Sequence, residues 1–479
     1  MTTSQKHLIA LLSLILAATA AQAKLRLHHL VSDNMVIQQL TDARLWGWDT
    51  PGKEVTVEVS WDKLKHSAVA SADGRWEVKV KTPQASHTPL SIKFSDGTDH
   101  ITVSNVLAGE VWVCGGQSNM EMGVRGYDGC PVEGANRTIA EAARYPSIRI
   151  AQVTAAMSAT PLPDTNVSWR VSSPSCVGWA SAVAYNFAKM LNTSLDVPVG
   201  IILAYKGATR CESWLNAAGI KALTDEPTDS AAIAARFQQP EIRPVLWGNG
   251  TFSPISHYTV RGITFYQGCG NVGNPQGHYT RLLEALAKQW RSEFGLGDIP
   301  FYFVQIAPFS YGDPNGDSAA KLRADQFAAS KTIPNSAIVC TQDLVYPHEV
   351  NQIHPAQKRQ VGERLAYLAL SNIYDFTELM SQSPSFKSMS IEGSSCIITL
   401  DNLYGSPNLM TGLTGFEVAG ADKVFHKAEA SWSQGKGIIV TSPNVPHPVA
   451  VRYCWHNFAL GNVANLAGLP LFPFRTDTW

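Results

Sequence analysis

Between residues 109 and 370 the apolar strands of this sequence do not alternate with polar residues, and that property limits the fold more than any other. Val111-Trp112-Val113, Val197-Pro198-Val199-Gly200-Ile201-Ile202-Leu203 and Phe301 to Ile306 are continuous apolar runs. A strand with one face in water alternates. A run that does not is buried on both faces, as in a parallel sheet covered by helices on each side. Helical segments lie between the runs: Val183, Phe187, Met190 and Leu191 recur at helical spacing, and Arg281 to Phe294 is amphipathic. The expected centre is an α/β domain over residues 108–374, with ligand-binding groups gathered beyond the carboxyl ends of its strands.

The flanks read differently. In residues 24–107, Val55-Thr56-Val57-Glu58-Val59 and Trp76-Glu77-Val78-Lys79-Val80 alternate at strand period, separated by turns such as Thr50-Pro51-Gly52 and Ala72-Asp73-Gly74. That is the pattern of a small β-sandwich. Trp46, Trp48 and Trp61 could line a sugar-binding face there, although core is the commoner place for tryptophan. Residues 375–479 are again β-rich, with Cys396 to Leu400, Gly437 to Thr441 and Val449 to Tyr453 as the clearest strands.

Within the central region two places have the make-up of chemistry. Val111-Trp112-Val113 runs into Cys114-Gly115-Gly116-Gln117-Ser118-Asn119-Met120-Glu121. Two glycines admit backbone geometry closed to other residues, so Ser118 can stand exposed where the strand turns toward a helix. An α/β hydrolase carries its nucleophile at such a junction. The wording is not G-x-S-x-G, so on these residues a tight turn and a nucleophile are both open. The second place is His354, in Ile353-His354-Pro355 ahead of a helix whose apolar face is Val361, Leu365 and Leu368. Pro355 suits the first turn of that helix, which sets His354 at its entrance, as a base or as a cap. His348 lies near it, and His257 and His278 also fall in this region.

The stretch Gly109 to Met120 resembles the serine block of the sialate O-acetylesterase family, a branch of the SGNH hydrolases. Other blocks match in the same order. Tyr266-Gln267-Gly268-Cys269-Gly270-Asn271 is similar to the family's Gln-Gly-Glu-Ser-Asn block. Gly207-Ala208-Thr209 before Glu212-Ser213-Trp214 resembles its Gly-Gly-Thr block, and Ile353-His354-Pro355 with Val361-Gly362-Glu363-Arg364-Leu365-Ala366 resembles its histidine block. Val451-Arg452-Tyr453 and Gly468 to Arg475 look like its closing segment.

The resemblance implies an SGNH, flavodoxin-like parallel-sheet hydrolase flanked by sandwich-like regions, and an activity that removes O-acetyl groups from carbohydrate. It implies Ser118 as nucleophile, His354 as base, and the Ser118 amide, the amide near Gly207 and the Asn271 side chain as oxyanion donors. Gln117 and Gln267 fall on the substrate side. Arg125 and Arg210, in crevice loops, are candidate partners for a substrate carboxylate. Sialic acid esters are the first substrate expectation, and acetylated xylan is the rival.

Three positions depart from the family's pattern. Gln352 stands two residues before the histidine, where the family has aspartate, so the imidazole could be oriented by Gln352, Asn351, Glu349 or Asp343, or by a backbone carbonyl in a Ser-His dyad. Cys269 replaces the glutamate of Gln-Gly-Glu, and Ala208 replaces a loop glycine. These departures keep open a second class of function, a catalytically impaired carbohydrate-binding protein. A thiol hydrolase using Cys114 or Cys269 is a third.

Composition excludes other classes. A formal net charge of −1, evenly spread, is wrong for a nucleic-acid binder. The eight cysteines include no C-x-x-C and no cluster with zinc-ligand spacing, so no metal or organic cofactor is expected. Met1 to Ala23, with Lys6, an apolar core from Leu8 to Ala18 and Ala21-Gln22-Ala23, reads as an export signal too short to span a membrane. The expected location is periplasmic or extracellular. In such a compartment a disulfide among Cys114, Cys211 and Cys269 is a further expectation.

Overall fold

The computed structural model of the protein describes residues 24–479; the expected export signal lies outside them. Its centre is a sheet of six parallel strands with one antiparallel strand at an edge. Across the sheet the order is Trp169–Val171, Ile148–Gln152, Val199–Tyr205, His100–Gly116, Gly262–Tyr266, Phe301–Val304 and Ser336–Val339. The unalternating runs are therefore strands of this sheet, and each is buried on both faces. Trp112, Cys114, Ile201 and Leu203 pack with Val183, Phe187, Leu191, Val361 and Leu365 of the helices Ala182–Leu195 and Arg359–Ile373. Val113, Ile202, Phe265 and Phe303 face the opposite side, against Leu282, Leu286 and Trp290 of the helix His278–Phe294 and Leu322 of Ser318–Thr332.

One strand joins two parts of the molecule. His100–Gly116 is 17 residues long. Its first half pairs antiparallel with Ser86–Ser95 in the amino-terminal β region, and its second half is the middle of the parallel sheet. Val36–Gln38 pairs parallel with Leu107 to Gly109, at the junction. Here the buried Glu110 carboxylate accepts from Gln38 and Gln39 (3.2 and 2.7 Å), from Arg261 (2.8 and 3.2 Å) and from the Tyr374 hydroxyl (2.8 Å). Groups from the amino-terminal region and from two parts of the central α/β region thus converge on one side chain.

The flanking regions are β-structure as expected. Asp42–Trp48 and Arg75–Lys81 pair in a small antiparallel sheet with Arg26–Leu27. Trp46 is core, 1 % exposed, while Trp48 is part-buried beneath the Arg26 guanidinium. At the carboxyl end two four-stranded antiparallel sheets enclose their own core around Ile398, Val418, Val440 and Tyr453. That unit docks through Asn457, whose Oδ1 accepts from the Ala319 amide (2.8 Å) and whose carbonyl accepts from the Phe309 amide (3.1 Å). All eight cysteines are free thiols, so the expected disulfide among Cys114, Cys211 and Cys269 does not form. Among the described residues no helix is long and apolar enough to cross a membrane, and no cluster of His, Cys, Asp and Glu is arranged to hold a metal ion.

Candidate active site

Gly116 is the last residue of the central strand, flanked in register by Tyr205 on one side and Tyr266 on the other. Its φ is +139°, and a Cβ there would lie 2.2 Å from the Tyr266 carbonyl oxygen, so only glycine fits. The chain leaves the strand through this residue into the short helix Ser118–Glu121. Ser118 emerges half-buried at the carboxyl end of the sheet, where the connections that follow depart to opposite sides of the first parallel strand.

His354 meets it from a loop 236 residues later. The imidazole Nε2 lies 2.8 Å from Ser118 Oγ. Burial, followed by the nearby Lys358 ammonium, lowers the imidazole pKa to about 4, so the ring is neutral at neutral pH and free to accept a proton. The helix after it begins at Arg359, later than the sequence suggested: Lys358 turns back to the Pro355 carbonyl (2.7 Å), and Pro355 lies outside the first turn. Tyr127 packs edge-on to the imidazole at 5.3 Å between ring centres and donates to the Ser118 carbonyl (3.3 Å).

Among the described residues no carboxylate stands beside the other ring nitrogen. Nδ1 faces the Cys130 thiol at 3.9 Å. Gln352 Oε1 accepts from the His354 backbone amide (3.2 Å) and from the Cys130 thiol (3.2 Å), while its Nε2 donates to the Gly129 carbonyl (3.2 Å). The remaining orienting candidates are engaged elsewhere. Asp343 pairs with Arg364 (2.6 and 2.7 Å), Asn351 accepts from the Ser310 hydroxyl (2.7 Å), and Glu349 accepts from the Tyr346 and Ala356 amides.

Each oxyanion candidate has a resting partner or none, and Gly207 lies beside Ser118. The Ser118 amide, at the first position of its helical turn, has no backbone acceptor among the described residues. The Gly207 amide donates to Glu121 (2.5 Å), whose carboxyl is pushed upward in pKa by burial. Asn271 donates from Nδ2 to Glu212 (2.7 Å), and its Oδ1 accepts from the Cys211 amide and Gln267. Among the described residues one of its two Nδ2 hydrogens has no acceptor.

Of the candidate substrate-side residues, Gln117, Gln267 and Arg210 are engaged within the fold. Gln117 accepts from the Gly268 amide (2.9 Å) and ties the serine turn to the Asn271 loop. Gln267 is buried, donating to Thr209 and accepting from the Tyr279 hydroxyl. Arg210 pairs with Glu226 (2.8 Å) and donates to the Ile242 carbonyl, and Arg125 lies over the Trp179 ring at 4.8 Å. Ala208, in place of a glycine, has φ +61°, a conformation that favours glycine. The thiol of Cys114 is fully buried and pushed up to about 12, and that of Cys269 is also raised, so neither is an activated nucleophile.

Residues 108–371, more than half of the chain, match the family model described as carbohydrate esterase, sialic acid-specific acetylesterase. The chain belongs to this esterase family. Its match to a carbohydrate acetylesterase structure from Xanthomonas citri has a TM-score of 0.83 at 30% identity, covering 95% of this chain and 100% of that one. The mouse sialate O-acetylesterase is 26% identical over 460 residues, covering 82% of this chain and 81% of its own. The human sialate O-acetylesterase is 28% identical over 389 residues, covering 74% and 72%. Residues beside the Ser118–His354 contact that the sequence did not single out are Tyr127, Cys130 and Lys358. Glu121 had a local signal, lying one helical turn beyond Ser118, and Glu212 lay inside a matched block.

Proposed function

We propose that this esterase is exported and removes O-acetyl groups from carbohydrate by serine–histidine catalysis, with O-acetylated sialic acid as its first substrate. The observation that carries the mechanism is the 2.8 Å contact between Ser118 Oγ and a neutral His354 Nε2. His354 takes the hydroxyl proton as Ser118 attacks the acetyl carbonyl, then gives that proton to the departing sugar oxygen. Water, activated by the same imidazole, releases acetate from the acetyl-serine. The Ser118 amide and the free Nδ2 hydrogen of Asn271 hold the oxyanion. The Gly207 amide joins them as Glu121 yields its place. Each such donor is worth about 2.7–4 kcal/mol in the transition state.

The sialate assignment rests on the names of the mouse and human relatives. A neutral acetylated polysaccharide, such as xylan, is the second reading, and one observation favours it. Of the two candidate partners for a substrate carboxylate, Arg210 is taken by Glu226, while Arg125 stacks on Trp179, a contact that leaves its N–H donors free. Acetate release from acetylated sialosides and acetyl-xylan, by wild type beside Ser118→Ala and His354→Ala, tests both parts. Each variant should lose about a thousandfold or more. Turnover that survives Ser118→Ala refutes the mechanism, and the preferred glycan decides the substrate. Export is checked by locating the mature chain in cell fractions; retention with an uncleaved amino terminus refutes it.

A further inference from the structure

Lys358 is a buried cation, 1 % exposed, that touches both halves of the catalytic pair's support. Its ammonium donates to Asn119 Oδ1 (2.7 Å), the residue after the nucleophile, and to the Pro355 carbonyl (2.7 Å), the residue after the base. Asn119 in turn donates from Nδ2 to the Ile353 carbonyl (3.0 Å), the residue before the base. Three hydrogen bonds therefore tie the Ser118 turn to the backbone on each side of His354.

No carboxylate stands within ion-pair distance of Lys358 among the described residues. The titratable groups facing it are Glu349, Cys269, Cys130 and His354, and Glu349 is committed to two backbone amides. Burying an ammonium without a paired carboxylate is costly, and an apolar side chain of similar volume would avoid that cost. What the cation provides in return is its contacts, and those contacts are the two catalytic segments. A triad acid orients the imidazole through Nδ1. Here Nδ1 faces a thiol at 3.9 Å and Tyr127 packs against the ring, so the position of the imidazole relative to Ser118 depends on the backbone that carries it.

We propose that Lys358 is the positioning residue of the Ser118–His354 pair, locking the nucleophile turn against both flanks of the base. The inference rests on the serine–histidine reading above. The same charge opposes protonation of His354 in the resting enzyme. Burial lowers the lysine itself to about 7, so at acidic pH, where His354 titrates, Lys358 is charged.

The test is steady-state hydrolysis of 4-nitrophenyl acetate by the full chain, comparing wild type with Ser118→Ala, Lys358→Met and Asn119→Ala from pH 4 to 9. Lys358→Met should lower kcat ten- to a hundredfold, leave KM within about twofold, and move the acidic limb of kcat/KM to higher pH. Asn119→Ala keeps the cation but cuts the tie, so kcat should fall with the limb unmoved, and this variant decides the matter if Lys358→Met does not fold. Wild-type kcat in either variant overturns the proposal. So does a Lys358→Met whose loss accompanies a lower Tm with an unmoved limb, the signature of a purely structural role. Activity that survives Ser118→Ala instead refutes the underlying serine–histidine reading.

Discussion

Replacing Cys130 by aspartate supplies the carboxylate that His354 lacks, and the size of the effect follows from the geometry. The Sγ atom lies 3.9 Å from Nδ1. In aspartate the carboxylate carbon takes roughly that position, and its oxygens reach about 1.2 Å further, within hydrogen-bond range of the ring. Opposite charges about 4 Å apart attract by about 4 kcal/mol at an effective dielectric near 20. The site is partly open to water and the new carboxylate must itself be desolvated, so we discount this to about 1.4–2.8 kcal/mol. That is one to two pKa units, or a ten- to hundredfold gain if all of it is expressed in the imidazolium-like transition state. The assay is the pH dependence of kcat/KM on 4-nitrophenyl acetate, with Cys130→Asn as the uncharged control. Cys130→Asp should raise the plateau and move the acidic limb upward from about 4, while Cys130→Asn does neither. If the two variants behave alike, the group at position 130 has no electrostatic hold on Nδ1 and the reasoning fails.

Three further outcomes follow from the structure. Because His354 must be neutral to act as base and its pKa is depressed to about 4, wild-type kcat/KM should hold from pH 7 down to pH ~5 and fall as pH drops through about 4; a limb near 6.5 would contradict the burial of the ring. Glu110→Ala removes the acceptor shared by Gln38, Gln39, Arg261 and Tyr374 and should cost about 3 kcal/mol in denaturant unfolding, the lower end for a broken buried pair because Arg261 is partly exposed. Ala208→Gly relieves a left-handed residue at the price of a more flexible unfolded chain, so a net gain of about 0.5–1 kcal/mol is expected, read as a shift in the denaturation midpoint.

The architecture was legible where local pattern and burial agree. Val199 to Leu203 and Phe301 to Val304 are apolar without alternation because both their faces are covered, and the sequence carries that fact directly. Ser118 and His354 sit at junctions marked by glycine and proline, which left a turn and a cap as open alternatives; the family resemblance paired them, and the structure sets them 2.8 Å apart. What the sequence does not carry is the partner of a side chain that reaches across the fold. Gln117 lies in a crevice loop and reads as a substrate contact, yet its acceptor oxygen is spent on the Gly268 amide, 151 residues away. Arg210 is drawn off by Glu226 and Ile242 in the same way. Cys130 is a single cysteine with no motif around it, and nothing local brings it to His354. Lys358 carries no local signal in the sequence; in the fold it bends back from the helix entrance to the Pro355 carbonyl, and the helix begins at Arg359.

The strand His100–Gly116 also shapes the moment of synthesis. Its neighbours in the parallel sheet, Val199–Tyr205 and Gly262–Tyr266, are made some 85 and 150 residues after it. While the ribosome works through that interval, Val111 to Cys114 have emerged with neither sheet edge occupied, although the first half of the strand already has Ser86–Ser95 as a partner. An apolar strand with unpaired edges is a template for other chains. The hazard ends only when Tyr266 arrives, so mutations that slow closure of the sheet should appear first as lost soluble yield rather than as lost specific activity.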